Sequence, residues 1–157
     1  MGLTISKKFT LQQLIFIMST ISFEKIVNAD IQKTFDILTN FENFEKILPE
    51  YYTSITTKSV RDESSLVVEH LHLAGNEFII MAKHFMKSPN IHEMRVVGGD
   101  IKGSHIIEKI NDLDGKTQIT IDANINISKR TKISFQKPDY ENEIKKLYQK
   151  FIVVIEK

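Results

Sequence analysis

Glu69, His84 and His92 fall on three successive strand-like runs, and the chemistry a carboxylate and two imidazoles offer there is acid–base. Burial in an apolar cavity moves the pKa values of such groups, so they can orient a ligand hydroxyl or carbonyl, or exchange protons with it as general base and acid. The alternative is structural: Glu69 reaches the cavity rim and both imidazoles hydrogen-bond to backbone or water. A second pair, His70-x-His72, puts two imidazoles on one strand face, as metal sites do. Its third ligand is missing, since strand geometry at 3.3 Å per residue leaves His84 more than about 10 Å away. The expectation is therefore no metal and no cofactor, with His70 and His72 facing solvent.

The remaining motifs exclude more than they suggest. Without cysteine there is no disulfide framework, Cys-ligated zinc, iron–sulfur cluster or thiol nucleophile, and a cytoplasmic setting is expected. The run Gly98-Gly99-Asp100-Ile101-Lys102-Gly103 lacks the spacing of a phosphate or dinucleotide loop and reads as a hairpin turn. Its glycines and Lys102 are candidates for a mobile lip at a pocket mouth. Lys129-Arg130-Thr131-Lys132 is a basic cluster able to touch a lipid headgroup or an acidic partner, or simply a solvated surface. With 21 Lys and Arg against 20 Asp and Glu, the net charge of +1 supplies no field for holding nucleic acid.

At 157 residues, 41% apolar and 26% charged, the chain has the size and composition of one folded domain. Residues 1–20 read as an extension. The apolar run Leu14 to Met18 is too short to span a bilayer, and no stable membrane insertion is expected. Gly2 and Ser6 fit only a minimal myristoylation pattern, and the onset of patterning points to a translation start at Met18. The domain is expected over residues 21–157. ISFEKIV (21–27) alternates as a strand, and Asn28-Ala29-Asp30 supplies a turn and a helix N-cap. Two short helices follow, with Ile31, Phe35 and Leu38 on one face, then Phe41, Phe44 and Leu48 before Pro49. Phe41, Phe44, Tyr51 and Tyr52 either guard an entrance beside this elbow or form a core corner. From Tyr51 to about Ser128 the texture is six strands of an antiparallel meander. Pro138 and Asp139 open a long amphipathic helix with Tyr140, Ile144, Leu147, Tyr148, Phe151 and Ile155 in one stripe. Its end, FIVVI (151–155), is apolar nearly all round, which suits insertion in a crevice or a homodimer contact.

Alternation and hairpin length assign the strand faces. The inner sets are His92, Met94 and Val96; then Phe78, Ile80, Ala82, His84 and Met86, with Met94 opposite His84. Taking Gly75-Asn76 as a two-residue turn pairs Leu71 with Ile80 and Glu69 with Ala82, and sends Val67, Glu69, Leu71 and Leu73 inward. In the last strand Ile119, Ile121, Ala123, Ile125 and Ile127 share one face. The two turns flanking the strand of His105 and Glu108 give opposite answers, so its facing stays open. An antiparallel sheet of this size buries one face, and a single helix covers only part of it; a cavity follows. The expected ligand-binding set is Val67, Glu69, Leu71, Phe78, Ile80, His84, His92, Met94, Ile121, Leu147 and Phe151.

The stretch ISFEKIVNADIQKTFDILTNFENFEKILPEYYTSI resembles the opening of the START-like, Bet v 1-like (SRPBCC) helix-grip superfamily, nearest its polyketide cyclase/dehydrase and coenzyme Q-binding branch. VVGGDIKGSHIIEKI followed by GKTQITIDANI is similar to that branch's late strands. The resemblance runs from about Ile21 to the C-terminus and rests on hydrophobic spacing with Phe41, Phe44, Pro49, Gly103 and Gly115. It implies an α+β helix-grip fold: a curved seven-stranded antiparallel sheet around a long helix and a pocket for an apolar small molecule. Three functions are compatible. The first is a non-enzymatic carrier or sensor of a lipid, quinone or isoprenoid-like molecule. The second is a cyclase or dehydratase acting on a polyketide-like carbonyl compound in the same cavity, with Glu69, His84 and His92 as its candidate catalytic groups. The third is a protein-interaction module with an incidental cavity. No catalytic position of the family is matched.

Overall fold

In the computed structural model, which describes residues 16–128 and 139–157, the chain opens with strand β1 (Phe16–Val27). This strand begins five residues before the alternation that announces it, because Phe16 to Thr20 continue the ladder with the last strand, from Phe16 opposite Ser128 to Thr20 opposite Asn124. The apolar run ending at Met18 hides that extension from a search for alternation. Helix α1 (Ile31–Thr39) follows, capped by the Asp30 carboxylate, which accepts a 2.8 Å hydrogen bond from the Lys33 N–H. It buries Thr34, Phe35 and Leu38. A 3-10 turn (Phe41–Asn43) and one turn of helix α2 (Phe44–Ile47) complete the elbow.

Strands β2 (Tyr52–Arg61), β3 (Ser64–Leu73), β4 (Asn76–Lys87), β5 (Ile91–Gly99), β6 (His105–Leu113) and β7 (Lys116–Ser128) then run as a meander. Every pairing is antiparallel, and the spatial order is β1-β7-β6-β5-β4-β3-β2. The chain therefore forms a seven-stranded curved sheet with β1 closing beside β7. Helix α3 (Tyr140–Ile155), capped by Asp139, lies on the inner face against β1, β3 and α1. Tyr140, Ile144, Leu147, Tyr148, Phe151, Ile152 and Ile155 are buried, whereas Val153 is half exposed. The apolar end of the helix thus inserts on one side only. No helix among the described residues is long and apolar enough to cross a membrane.

The β3–β4 turn differs from expectation in a way that leaves the faces intact. Its two central residues are Ala74 and Gly75, both at positive φ (52° and 76°), as a tight hairpin of the strands' own twist requires. Leu71 accordingly pairs with Phe78, Glu69 with Ile80 and Val67 with Ala82. The register moves by two residues, so the same side chains still point inward. Farther along, Gly98 and Gly99 pair with Met81 and Ile80 as part of β5, and the Asp100 carboxylate accepts from the Ile79 N–H at 2.8 Å. The expected lip is thus hydrogen-bonded into the sheet at that end. At Gly99, with φ of 78°, any β-carbon would stand 2.2 Å from the Ile79 carbonyl oxygen, so only glycine fits. The cluster Lys129-Arg130-Thr131-Lys132 lies outside the described residues.

Candidate functional site: a buried acid–base chain in an apolar cavity

Between the sheet and α3 lies a cavity with about 70 Å³ open to the centres of water-sized molecules. One water needs about 10–15 Å³ on that measure, so the space is on the order of five waters, roughly half of the ~150 Å³ apolar cavity that takes benzene; a ring therefore enters only if lining side chains give way. Its wall is mainly apolar: Leu38 and Phe44 from the elbow, Leu71, Leu73, Phe78, Ile80 and Met94 from the sheet, and Ile144, Leu147 and Phe151 from α3. Ile101 closes it from the β5–β6 loop.

The polar part of the wall is one continuous chain. Glu69 Oε1 lies 2.6 Å from His84 Nε2, and His84 Nδ1 lies 2.9 Å from His92 Nε2. His92 Nδ1 hydrogen-bonds Glu108 Oε1, and the Tyr148 hydroxyl donates to Glu108 Oε2 at 2.6 Å. Register accounts for these links unequally: His84 and His92 are diagonal neighbours two residues out of direct pairing, whereas Glu69, opposite Ile80, reaches His84 four residues along β4. His84 on β4 stands between β3 and β5, and His92 is the direct cross-strand neighbour of Glu108. All five residues are buried. Phe41 from the 3-10 turn covers the imidazoles, its ring 4.0 Å from that of His84 and 5.6 Å from that of His92. The protons can be counted. Two carboxylates and two neutral imidazoles carry two protons and two negative charges, and a third proton is required if each of the three links is to hold one. The four side chains together then bear a single negative charge, wherever within its link each proton lies.

Burial is the main influence on these groups. It lowers the pKa of His84 from its ordinary value, against the opposing pull of the Glu69 carboxylate, so His84 is held toward its neutral form. Burial likewise pushes Tyr52 and Tyr148 well above the usual phenol range, reinforced by the Glu69 and Glu108 charges at Tyr52 and by Glu108 at Tyr148. Both phenols remain protonated donors. Tyr148 uses its proton on Glu108; the Tyr52 hydroxyl, which also lines the cavity, makes no hydrogen bond among the described residues, nor does Glu69 Oε2.

Of the expected ligand-binding set, Glu69, Leu71, Phe78, Ile80, His84, His92, Met94, Leu147 and Phe151 line the cavity. Val67 and Ile121 do not: both point inward but are fully enclosed by core side chains, so facing inward was not enough to reach the open space. Glu108, Tyr148 and Tyr52 complete the polar wall and were not in that set. Glu108 lay on the strand whose facing was ambiguous; it turns inward, and His105 turns outward to Glu93 at 2.8 Å. By sequence alone Tyr148 belongs only to the packing stripe of α3. His70 and His72 face out, each about 4 Å from Glu77. Among the described residues no three potential ligands converge as a metal site would require.

No family model and no curated protein matches the sequence. Solved structures do match the architecture. A START superfamily protein from Mycobacterium smegmatis superposes with a TM-score of 0.67 at 12% identity, over 87% of this chain and 94% of that one. The Zhui aromatase/cyclase from Streptomyces sp. R1128 gives 0.63 at 14% identity, over 88% of each chain. The major latex-like protein 151 from Panax ginseng gives 0.66 at 11% identity, over 87% and 97%. The chain has the START/Bet v 1-like helix-grip fold. Identity this low carries the fold and no activity, so the function of this helix-grip protein must be argued from its own cavity.

Proposed function

We propose that this helix-grip protein encloses a small, mostly apolar molecule bearing one polar group. The observation that carries this reading is the composition of the cavity: an apolar wall with one polar chain at its side and a phenol, Tyr52, that makes no hydrogen bond among the described residues. Tyr52 lines the cavity, where a ligand oxygen can accept its hydrogen bond. The apolar remainder of the ligand contributes affinity through desolvation, at about 25 cal/mol per Å². The open volume sets the ligand at no more than about one ring or the compact head of a quinone-like molecule, which lining side chains must yield slightly to admit; an isoprenoid or acyl tail requires side chains of α3 or the elbow to give way further. Carrying or sensing needs no more than this.

p-Cresol, one ring with one hydroxyl, is a suitable probe by titration calorimetry or NMR. Binding is expected, with Tyr52→Phe weakening it by about 0.5–1.5 kcal/mol, the net worth of one hydrogen bond. Leu147→Trp, which fills the cavity, is expected to abolish it. Binding unaffected by Leu147→Trp would place the ligand elsewhere and defeat the reading. A second reading, an enzyme acting on a carbonyl compound, is favoured by one specific observation: the buried chain from Glu69 to Glu108.

A further inference from the structure

The buried chain is more than a ligand-orienting wall needs. One hydrogen-bonded carboxylate and Tyr52 suffice to fix a polar group, yet the structure buries two carboxylates and two imidazoles in a single file. Burying ionisable groups is expensive, and an apolar core of equal volume is often as stable or more so. A chain with one proton per link has a distinctive property. A proton arriving at Glu69 Oε2 is matched by one-step shifts along the links, so the negative charge it neutralises is held either at Glu69 or at Glu108. The Tyr148 hydroxyl donates to the Glu108 end, and Phe41 keeps the imidazoles dry. With one proton in each link the chain acts as one base, and Glu69, whose Oε2 makes no hydrogen bond among the described residues, lines the same cavity as Tyr52.

Resting on the ligand reading above, we infer that the site catalyses a 1,3-proton shift in an apolar β,γ-unsaturated ketone. The ketone oxygen accepts a hydrogen bond from Tyr52. Glu69 removes a proton from the carbon between carbonyl and alkene; that C–H bond breaks, and its electron pair forms a dienolate whose oxygen charge rests on Tyr52. The Glu69 carboxylic acid then returns the proton to the γ-carbon, the double bond moves into conjugation, and the chain regains its charge. No oxidant, reductant or second substrate enters. Glu69 and Tyr52 touch the substrate; His84, His92, Glu108 and Tyr148 are positioning residues that set how readily Glu69 takes and gives the proton.

The probe is 3-cyclohexen-1-one, a small single-ring ketone with the reacting unit, with 2-cyclohexen-1-one formation followed by ultraviolet absorbance and binding followed separately by saturation-transfer NMR. The expected result is turnover above the buffer rate, a fall of about a hundredfold or more in Glu69→Gln with binding retained, as loss of a general base produces, and a smaller fall in Tyr52→Phe. Tyr148→Phe removes the donor that favours the charged chain, so its rate should rise with pH at a higher midpoint than in the unaltered protein. A merely structural tyrosine would leave that midpoint in place. The ionisable groups facing the chain from packed elements are Tyr52 on β2 and Tyr148 on α3, both protonated across this range. If Glu69→Gln fails to fold, the Tyr148→Phe profile decides. Binding of the ketone with turnover at the buffer rate overturns the catalytic inference and leaves the ligand reading standing. So does binding of p-cresol without binding of the ketone. If neither binds, both fall.

Discussion

The two faces of the sheet use the same residue types to opposite ends. On the inner face His92 and its cross-strand neighbour Glu108 are buried and linked through His84 to Glu69. On the outer face, one residue along the same strand, Glu93 pairs with Arg95 at 2.6 Å and His105 at 2.8 Å. Partial burial alone would raise the Glu93 pKa, but the hydrogen bonds and charges of Arg95 and His105 outweigh it and hold the carboxyl below its usual range. Water screens that outer cluster, where ion pairs contribute about 0–1 kcal/mol. The inner chain has no such screening, so each member depends on its neighbours. A carboxylate beside a histidine is a solvent-screened pair on one face and a buried, mutually dependent link on the other, and burial makes the difference.

Breaking the inner chain should have the largest effect. Glu108→Ala leaves His92 and the Tyr148 hydroxyl without acceptors in a dry site, and unfolding in urea should show a loss of about 3–5 kcal/mol. A loss below 1 kcal/mol would mean that water reaches the chain. Replacing the whole chain sharpens the comparison: the fourfold variant Glu69→Leu, His84→Phe, His92→Phe, Glu108→Leu removes every buried charge at once. It should be as stable as the unaltered protein or about 1–4 kcal/mol more so, while losing p-cresol binding. A collapse of stability would mean that the chain holds the fold together.

Acid distinguishes the faces next. His84 has its pKa lowered in the folded state, so at pH below its ordinary 6.5 the unfolded chain binds more protons and stability falls as pH drops. Glu93, also lowered, keeps its contribution above 4.5 and loses it only as pH falls through the carboxylate range. Thermal unfolding followed from pH 6.5 to 3 should therefore decline in two stages, and His84→Phe should weaken the first. The smallest effect is on the outer face: Glu93→Gln should change stability by less than about 1 kcal/mol, an effect that fades in high salt.

Most of the fold was legible in the sequence because its strands obey period two and its helices carry single apolar stripes. Glu69, His84 and His92 could be turned inward from Glu93, Arg95 and the neighbouring hairpins alone, even with the β3–β4 turn misplaced by one residue, since an even shift preserves facing. Their union into a chain was not legible. It needs Glu108, whose strand begins after a loop that places Ile101 at positive φ and returns to the sheet only at Ser104 and His105, a path no turn rule specifies. It also needs Tyr148, which joins the strands to α3 across 40 residues of sequence. Val67 and Ile121 make the complementary point: inward facing is a property of one strand, whereas the limits of a cavity depend on everything packed around it.

What the cavity holds decides the function, and the direct measurement is native mass spectrometry of protein purified gently from its own source, followed by organic extraction and mass analysis of what is released. The ligand reading predicts a compact apolar compound with one or two oxygens, bound one per chain and lost in Leu147→Trp. Protein that is empty as purified, and that takes up neither p-cresol nor any member of a quinone and isoprenoid panel, would contradict it.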